Sequence, residues 1–323
     1  MRRRDVVGLG VVGIGAGLVG AALLAPAVVR AQAPAPGRLD PRLTPARPDL
    51  AARALEGQVT AARFVDGEPR EVVAAVAPLR KAPSPDAELL TEALKGERVT
   101  VYDVTTGAAA GESWAWVQLA ADHYVGYVPA AALGPPGPPP THRVTAPRTV
   151  VLPGPSIRQP PVEALSLGAR LAVARTDGPF AVTMAGGHVP LLHLAPVGVP
   201  DRDPVAVAET LIGTPYLWGG KTSLGLDCSA LVQLALTACG IACPRDSDMQ
   251  AAAVGRVLDS VEAERPRRGD LVFWTGHVAI VRDETTLLHA NAHHMAVAIE
   301  PIAAAVDRLR STGLAVTRVR RPV

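Results

Sequence analysis

Aromatic residues are scarce in this chain. Four Trp, four Tyr and three Phe make up 3% of 323 residues, too few for the interleaved basic and aromatic side chains that grip single strands. An excess of charge of either sign is missing as well. The 32 Lys and Arg against 30 Asp and Glu leave a formal net charge of +2, and the basic residues are scattered, so no nucleic-acid partner is expected. Cysteine is rare, with three in all. Cys239 and Cys243 sit at a helix end in a C-x3-C spacing. No matched His pair accompanies them, so a zinc finger has no framework, and no metal or cofactor is expected. What is plentiful is Pro (31) and Gly (30), which suits short strands and turns more than long helices. The length holds two or three domains.

The chemistry concentrates in TPYLWGGKTSLGLDCSALVQLALTACGIACPRDS, residues 214–247. Asp227 reads as a helix N-cap, apolar residues follow at roughly helical spacing, and Gly240 reads as the stop. Cys228 is thereby placed in the first helical turn, where the dipole and unpaired backbone N–H groups favour a thiolate. Gly219, Gly220 and Gly225 upstream leave room for another chain to approach the sulfur. A thiolate needs a base. DLVFWTGHVAI (270–280) reads as two strands joined at Thr275-Gly276, and Thr286–His289 as a return strand. A hairpin centred on Asp283 sets His277 opposite His289, close enough for a side-chain hydrogen bond. Nucleophile, base and orienter then follow in the order Cys228, His277, His289. A lone Cys on an apolar helix is usually a small packed hydrophobe, and a lone His is usually structural; it is the combination that points to catalysis.

The motifs YLWGG, LDCSALVQ, CPRDSDMQ, RGDLVFW, GHVAI and LLHANAHHMAV, in this order, resemble the NlpC family of papain-like bacterial cell-wall peptidases. The resemblance is to the branch that follows bacterial SH3-like domains and cleaves γ-D-glutamyl-L-diamino acid bonds. It implies Cys228 as nucleophile, His277 as base, His289 as the third polar residue, and Tyr216 near the oxyanion. It further implies that Asp227, Ser229 and Ser247 hold the L-Ala amine and the D-Glu portion of a short peptide. Glu88 and Tyr124, from a barrel that closes one end of the cleft, would contact the free N-terminus.

The expected fold class is α+β, a papain-like NlpC catalytic domain preceded by two small β-barrel SH3-like domains. Residues 1–33 read as a signal peptide: Arg2, Arg3 and Arg4, then an apolar Gly- and Ala-rich run, with cleavage after Ala31. The alternative is an uncleaved membrane anchor. Residues 34–66 form a Pro-rich lead-in with one short helix expected over 49–55. Residues 67–134 read as a first SH3-like barrel, with strands at 72–76, 97–104, 114–119 and 124–129. A stiff Pro/Gly linker spans 135–140. A second, more degraded barrel spans 141–198, and the peptidase spans 199–323. Ser247 reads as the cap of a short helix, and Arg245 as a partner of Asp246 or Asp248 or of a substrate carboxylate. A Cys239–Cys243 disulfide is left open.

The expected protein is an exported, periplasmic, monomeric cysteine peptidase with no stable membrane span after signal cleavage. Its expected substrate is a murein-derived peptide, L-Ala-γ-D-Glu-diamino acid, with a free amine. Two alternatives remain: a murein amidase or crosslink endopeptidase of the same fold, and a non-catalytic peptidoglycan-binding protein.

Overall fold

The computed structural model describes residues 39–106 and 112–322; the expected signal peptide and the start of the Pro-rich lead-in lie outside the described residues. Three sheet-bearing units follow one another along the chain, preceded by an arm.

The arm, residues 39–66, packs against the first barrel instead of behaving as a bare linker. The helix expected over 49–55 is replaced by two strand residues, Ala51–Ala52, paired in parallel with Phe64–Val65, and one 3-10 turn at Arg53–Leu55. Tertiary packing outweighs the local cap: Leu50 is wholly buried with Trp116 and Val125. Arg47 lies 4.4 Å over the Trp116 ring, pairs with Asp49 and Asp103, and donates to the Tyr127 hydroxyl. A desolvated cation on an aromatic face, with two carboxylates beside it, holds the arm down.

The first barrel is one antiparallel sheet of seven strands between Glu68 and Gly134. Ala115, Val117 and Leu119 point into its core, as the alternation of SWAWVQL demands. Trp114 and Trp116 on the other face are buried as well. The expected strand at 72–76 is broken in two, Glu68–Val72 and Val76–Arg80. The chain turns a corner between them, where the N–H groups of Val73 and Ala74 both reach the Ala132 carbonyl. Residues 142–196 form three small sheets of three, two and three strands.

The C-terminal unit has a six-stranded antiparallel sheet. Its order is Arg256–Val257, Arg318–Arg321, Leu271–Trp274, His277–Val281, Thr286–Asn291 and Ala296–Pro301. The helix Cys228–Ala238 packs on one face through Val278, Ile280 and Leu288, and the helix Ile302–Ser311 packs near Val281 and Leu287 on the other.

The first barrel and the sheet unit are joined by buried polar links. Lys221 Nζ meets Glu97 at 3.1 Å, Gln233 donates to Asp122 at 2.9 Å, and Arg245 Nε donates to Thr91 Oγ1 at 2.7 Å. Gly219 sits where a Cβ would lie 2.3 Å from the Leu89 carbonyl oxygen, with φ at +75°. The glycines upstream of Cys228 therefore serve the domain contact and a tight turn (Gly220 against the Gly225 carbonyl), not the approach to the sulfur anticipated for them.

Candidate active site

Asp227 caps the Cys228 helix: its Oδ1 accepts the Ala230 N–H at 2.8 Å, and Cys228 is the first helical residue. The Cys228 N–H is one of the donors that a helix start leaves unpaired, and among the described residues it has no partner. Cys228 is 6% exposed and lines a cavity of about 660 Å³ between the sheet unit, the first barrel and the arm. The backbone N–H groups of Val278 and Ser229 point at the sulfur, so the start of the His277 strand lies against it.

The thiolate that the helix dipole favours is opposed by burial. Burial pushes the Cys228 thiol up to about 12, and the Asp227 charge adds to this, against smaller opposing effects of the two N–H groups and Arg245. Burial likewise drives His277 down to about 3, with His289 beside it. Desolvation thus disfavours the charged form of each group.

The hairpin is centred one residue later than expected. Ile280 pairs with Leu288 and Val281 with Leu287, so the turn centres on Glu284 and not on Asp283. Pairing shifts by two residues, which keeps side chains on the same face. His277 and His289 become diagonal neighbours, and His277 Nε2 still lies 3.0 Å from His289 Nδ1. His289 is 0% exposed, and burial takes it down to about 4. Its Nε2 lies 3.1 Å from Glu300 Oε2, and Arg308 donates to both Glu300 oxygens. Glu300 and Arg308 were missed in the sequence; a Glu diagonal to His289 on the next strand was the available signal.

The six expected substrate residues, Tyr216, Asp227, Ser229, Ser247, Glu88 and Tyr124, all line the cavity with Cys228. Their side chains are not equally free. The Asp227 carboxylate takes the Gly219 and Ala230 N–H groups, the Ser229 hydroxyl and two Arg245 nitrogens. It has little left for a ligand ammonium, which corrects the clamp expected of it. Ser229 is tied into the same cluster by Arg245 Nη1 at 2.8 Å. Arg245 itself is 1% exposed and pairs with Asp227, not with Asp246 or Asp248. Ser247 is the first helical residue and not the cap; the cap position belongs to Asp246.

Asp246 is the carboxylate that sequence reasoning passed over. Its Oδ2 accepts the Tyr124 hydroxyl at 2.9 Å and Arg42 Nη1 at 2.8 Å on the cavity wall. Arg42, from the arm, is shared by Asp40, Asp246 and Asp248, so three carboxylates face one guanidinium. Glu88 meets Lys81 at 3.1 Å on the same wall. The Tyr216 hydroxyl has no hydrogen-bond partner among the described residues, and burial, with Cys228 nearby, raises it to about 12.

Cys239 and Cys243 are free thiols. Ligand atoms of His289, His294 and Glu300 lie within 4.8 Å of one another, but the set does not fit a metal. Both His289 nitrogens are hydrogen-bonded, and Arg308 already neutralises Glu300.

Residues 79–133 match the family model described as the bacterial dipeptidyl-peptidase Sh3 domain, and residues 213–311 match the NlpC/P60 family. Dipeptidyl-peptidase 6 of Lysinibacillus sphaericus is 38% identical over 87 residues, 27% of this chain and 31% of that protein. A gamma-D-glutamyl-L-lysine dipeptidyl-peptidase of Bacillus cereus is 29% identical over 108 residues, 31% of each. The chain thus spans about a third of the length of these curated relatives. A solved NlpC/P60 family protein from Bacillus cereus superposes with a TM-score of 0.62 at 21% identity, covering 79% of this chain and 99% of that one. The fold is therefore the papain-like NlpC/P60 fold with an SH3-like region ahead of it.

Proposed function

We propose, for a chain that carries an NlpC/P60 domain behind a bacterial SH3-like domain, a cysteine peptidase that hydrolyses the γ-D-Glu–diamino acid bond of murein peptides bearing a free N-terminal L-Ala. The observation that carries this reading is one cavity with Cys228 on one wall and the acidic Tyr124–Asp246–Glu88 group on another. The names of the curated relatives support the bond. The apolar N-terminal stretch supports an exported, periplasmic enzyme.

In the proposed reaction the Cys228 thiol gives its proton to His277 as the sulfur attacks the amide carbonyl after D-Glu. Burial disfavours both charged forms, so charge separates as the substrate's carbonyl begins to take up negative charge. The oxyanion is met by the free Cys228 N–H and the unpartnered Tyr216 hydroxyl. His277 then protonates the leaving amine and activates the water that releases the acyl-enzyme. At the other end of the cavity, Asp246 and Glu88 accept hydrogen bonds from the L-Ala ammonium. Three carboxylates around Arg42 leave that end net negative, as a buried ammonium requires.

The test sets L-Ala-γ-D-Glu-diaminopimelate beside its N-acetylated form. Cleavage of the free peptide alone, abolished by Cys228→Ala, is the expected result. Equal cleavage of both peptides would remove the ammonium site from the proposal. Hydrolysis at N-acetylmuramoyl-L-alanine would mark an amidase instead, and murein binding without hydrolysis would mark a wall-binding protein.

A further inference from the structure

We infer that Glu300, clamped by Arg308, is a positioning residue that dictates which nitrogen of His277 carries its proton, leaving on Nδ1 the lone pair that the proposed reaction needs to take up the proton of the Cys228 thiol. The inference rests on the cysteine-peptidase reading above.

The roles follow in order from one guanidinium. Arginine has donors and no acceptor. Arg308 Nε reaches Glu300 Oε1 at 3.0 Å and Nη2 reaches Oε2 at 2.6 Å. Both carboxyl oxygens must accept, so Glu300 is ionised. His289 Nε2, 3.1 Å from Oε2, must then be the protonated nitrogen. A neutral imidazole carries one proton, so His289 Nδ1 is an acceptor. His277 Nε2, 3.0 Å from it, must donate. The single proton of His277 is thereby held on Nε2, and Nδ1 keeps its lone pair. Among the described residues no hydrogen bond occupies that Nδ1. The opposite assignment would start with a donor in place of Glu300. It would put a proton on His289 Nδ1, force His277 Nε2 to accept, and protonate Nδ1, so that the base would be lost with every ring in place.

The backbone makes the relay continuous. His289 pairs with Ala298 and Leu287 with Glu300, so Glu300 is the diagonal neighbour of His289, just as His289 is of His277. Three adjacent strands thus present the three side chains on one sheet face, and Arg308 closes the line from the helix packed over it. Among the described residues His289 Nε2 has Glu300 as its hydrogen-bond partner, and His294 turns its Nδ1 to Asn291 Oδ1 at 3.0 Å.

The experiment uses the full chain labelled with 15N-histidine, with ring-nitrogen shifts read alongside kcat and KM on L-Ala-γ-D-Glu-diaminopimelate. In the wild type both His277 and His289 are expected as the Nε2–H form. Glu300→Leu is expected to mix the tautomers of both rings and to lower kcat about 10- to 100-fold, the usual range for an outer partner of a catalytic imidazole or metal ligand, with KM within about twofold. Glu300→Asp should recover part of both. Glu300→Gln, which keeps the shape and so the fold, must turn its amide N–H groups toward Arg308 or His289 and should shift both readouts in the same direction. The inference is overturned if His277 in the wild type carries its proton on Nδ1. It is also overturned if Glu300→Leu or Glu300→Gln keeps both rings as Nε2–H with kcat unchanged. A wild type that hydrolyses no peptide but shows both rings as Nε2–H, scrambled by Glu300→Gln, refutes the peptidase reading and leaves the tautomer assignment standing.

Discussion

Replacing Arg245 by Met removes the cation paired with Asp227 beneath the Cys228 helix. Arg245 is 1% exposed and makes five hydrogen bonds: two to Asp227, and one each to Ser229, Thr91 and the Gly220 carbonyl. Met fills similar volume, so little of the loss is packing. What remains is a carboxylate buried without its partner, which costs about 3–5 kcal/mol. At about 2–4 °C per kcal/mol for a chain of this size, the melting midpoint should fall by about 6–20 °C. The Asp227→Asn/Arg245→Met double variant removes both charges and should recover at least half of that loss, while Asn still caps the helix. Thermal unfolding followed by circular dichroism reads both numbers. A loss under about 1 kcal/mol in Arg245→Met, or no recovery in the double variant, would refute the claim that this ion pair holds the nucleophile's helix start in place.

Three other outcomes follow from the same structure. His277 and His289 stay neutral in the fold down to about 3 and about 4, against 6.5 for free histidine. The unfolded chain therefore binds more protons, and stability falls as pH drops from 6.5 toward 4, by up to about 2.7 kcal/mol per pH unit from the two rings. Urea unfolding of His289→Gln should show that slope lessened by up to about 1.4 kcal/mol per unit, and an unchanged slope contradicts the assignment. Gly219→Ala places a Cβ 2.3 Å from the Leu89 carbonyl oxygen at φ +75°, so it should cost at least about 1–3 kcal/mol in denaturant titration; a neutral change would mean that the barrel contact gives way easily. Asp246→Asn should raise KM for the free-amine peptide about 10-fold or more with kcat little changed, since a charge-assisted hydrogen bond contributes about 1.5–3 kcal/mol; an unchanged KM would remove Asp246 from the ammonium site.

The parts of this molecule that depend on neighbours in the chain were legible without coordinates. Asp227 as cap and Cys228 as the first helical residue follow from three or four consecutive positions. That His277 and His289 share a face survives a misplaced turn, because strand side chains alternate and a shift of two restores the face. Ordered motifs from Tyr216 to Val297 carried the fold class. What the tertiary structure alone decided is long-range. Arg245 pairs with Asp227 and not with its own neighbours Asp246 and Asp248. Asp246, freed from that pairing, turned to Tyr124 and Arg42, more than a hundred residues away in sequence. The arm read as a linker became a cavity wall once Trp116 offered Arg47 a face. The shift on the thiol, too, belongs to the packed site. A helix start favours the anion locally, but the desolvation that opposes it is a sum over every group the fold brings near the sulfur, and no short stretch of residues contains that sum.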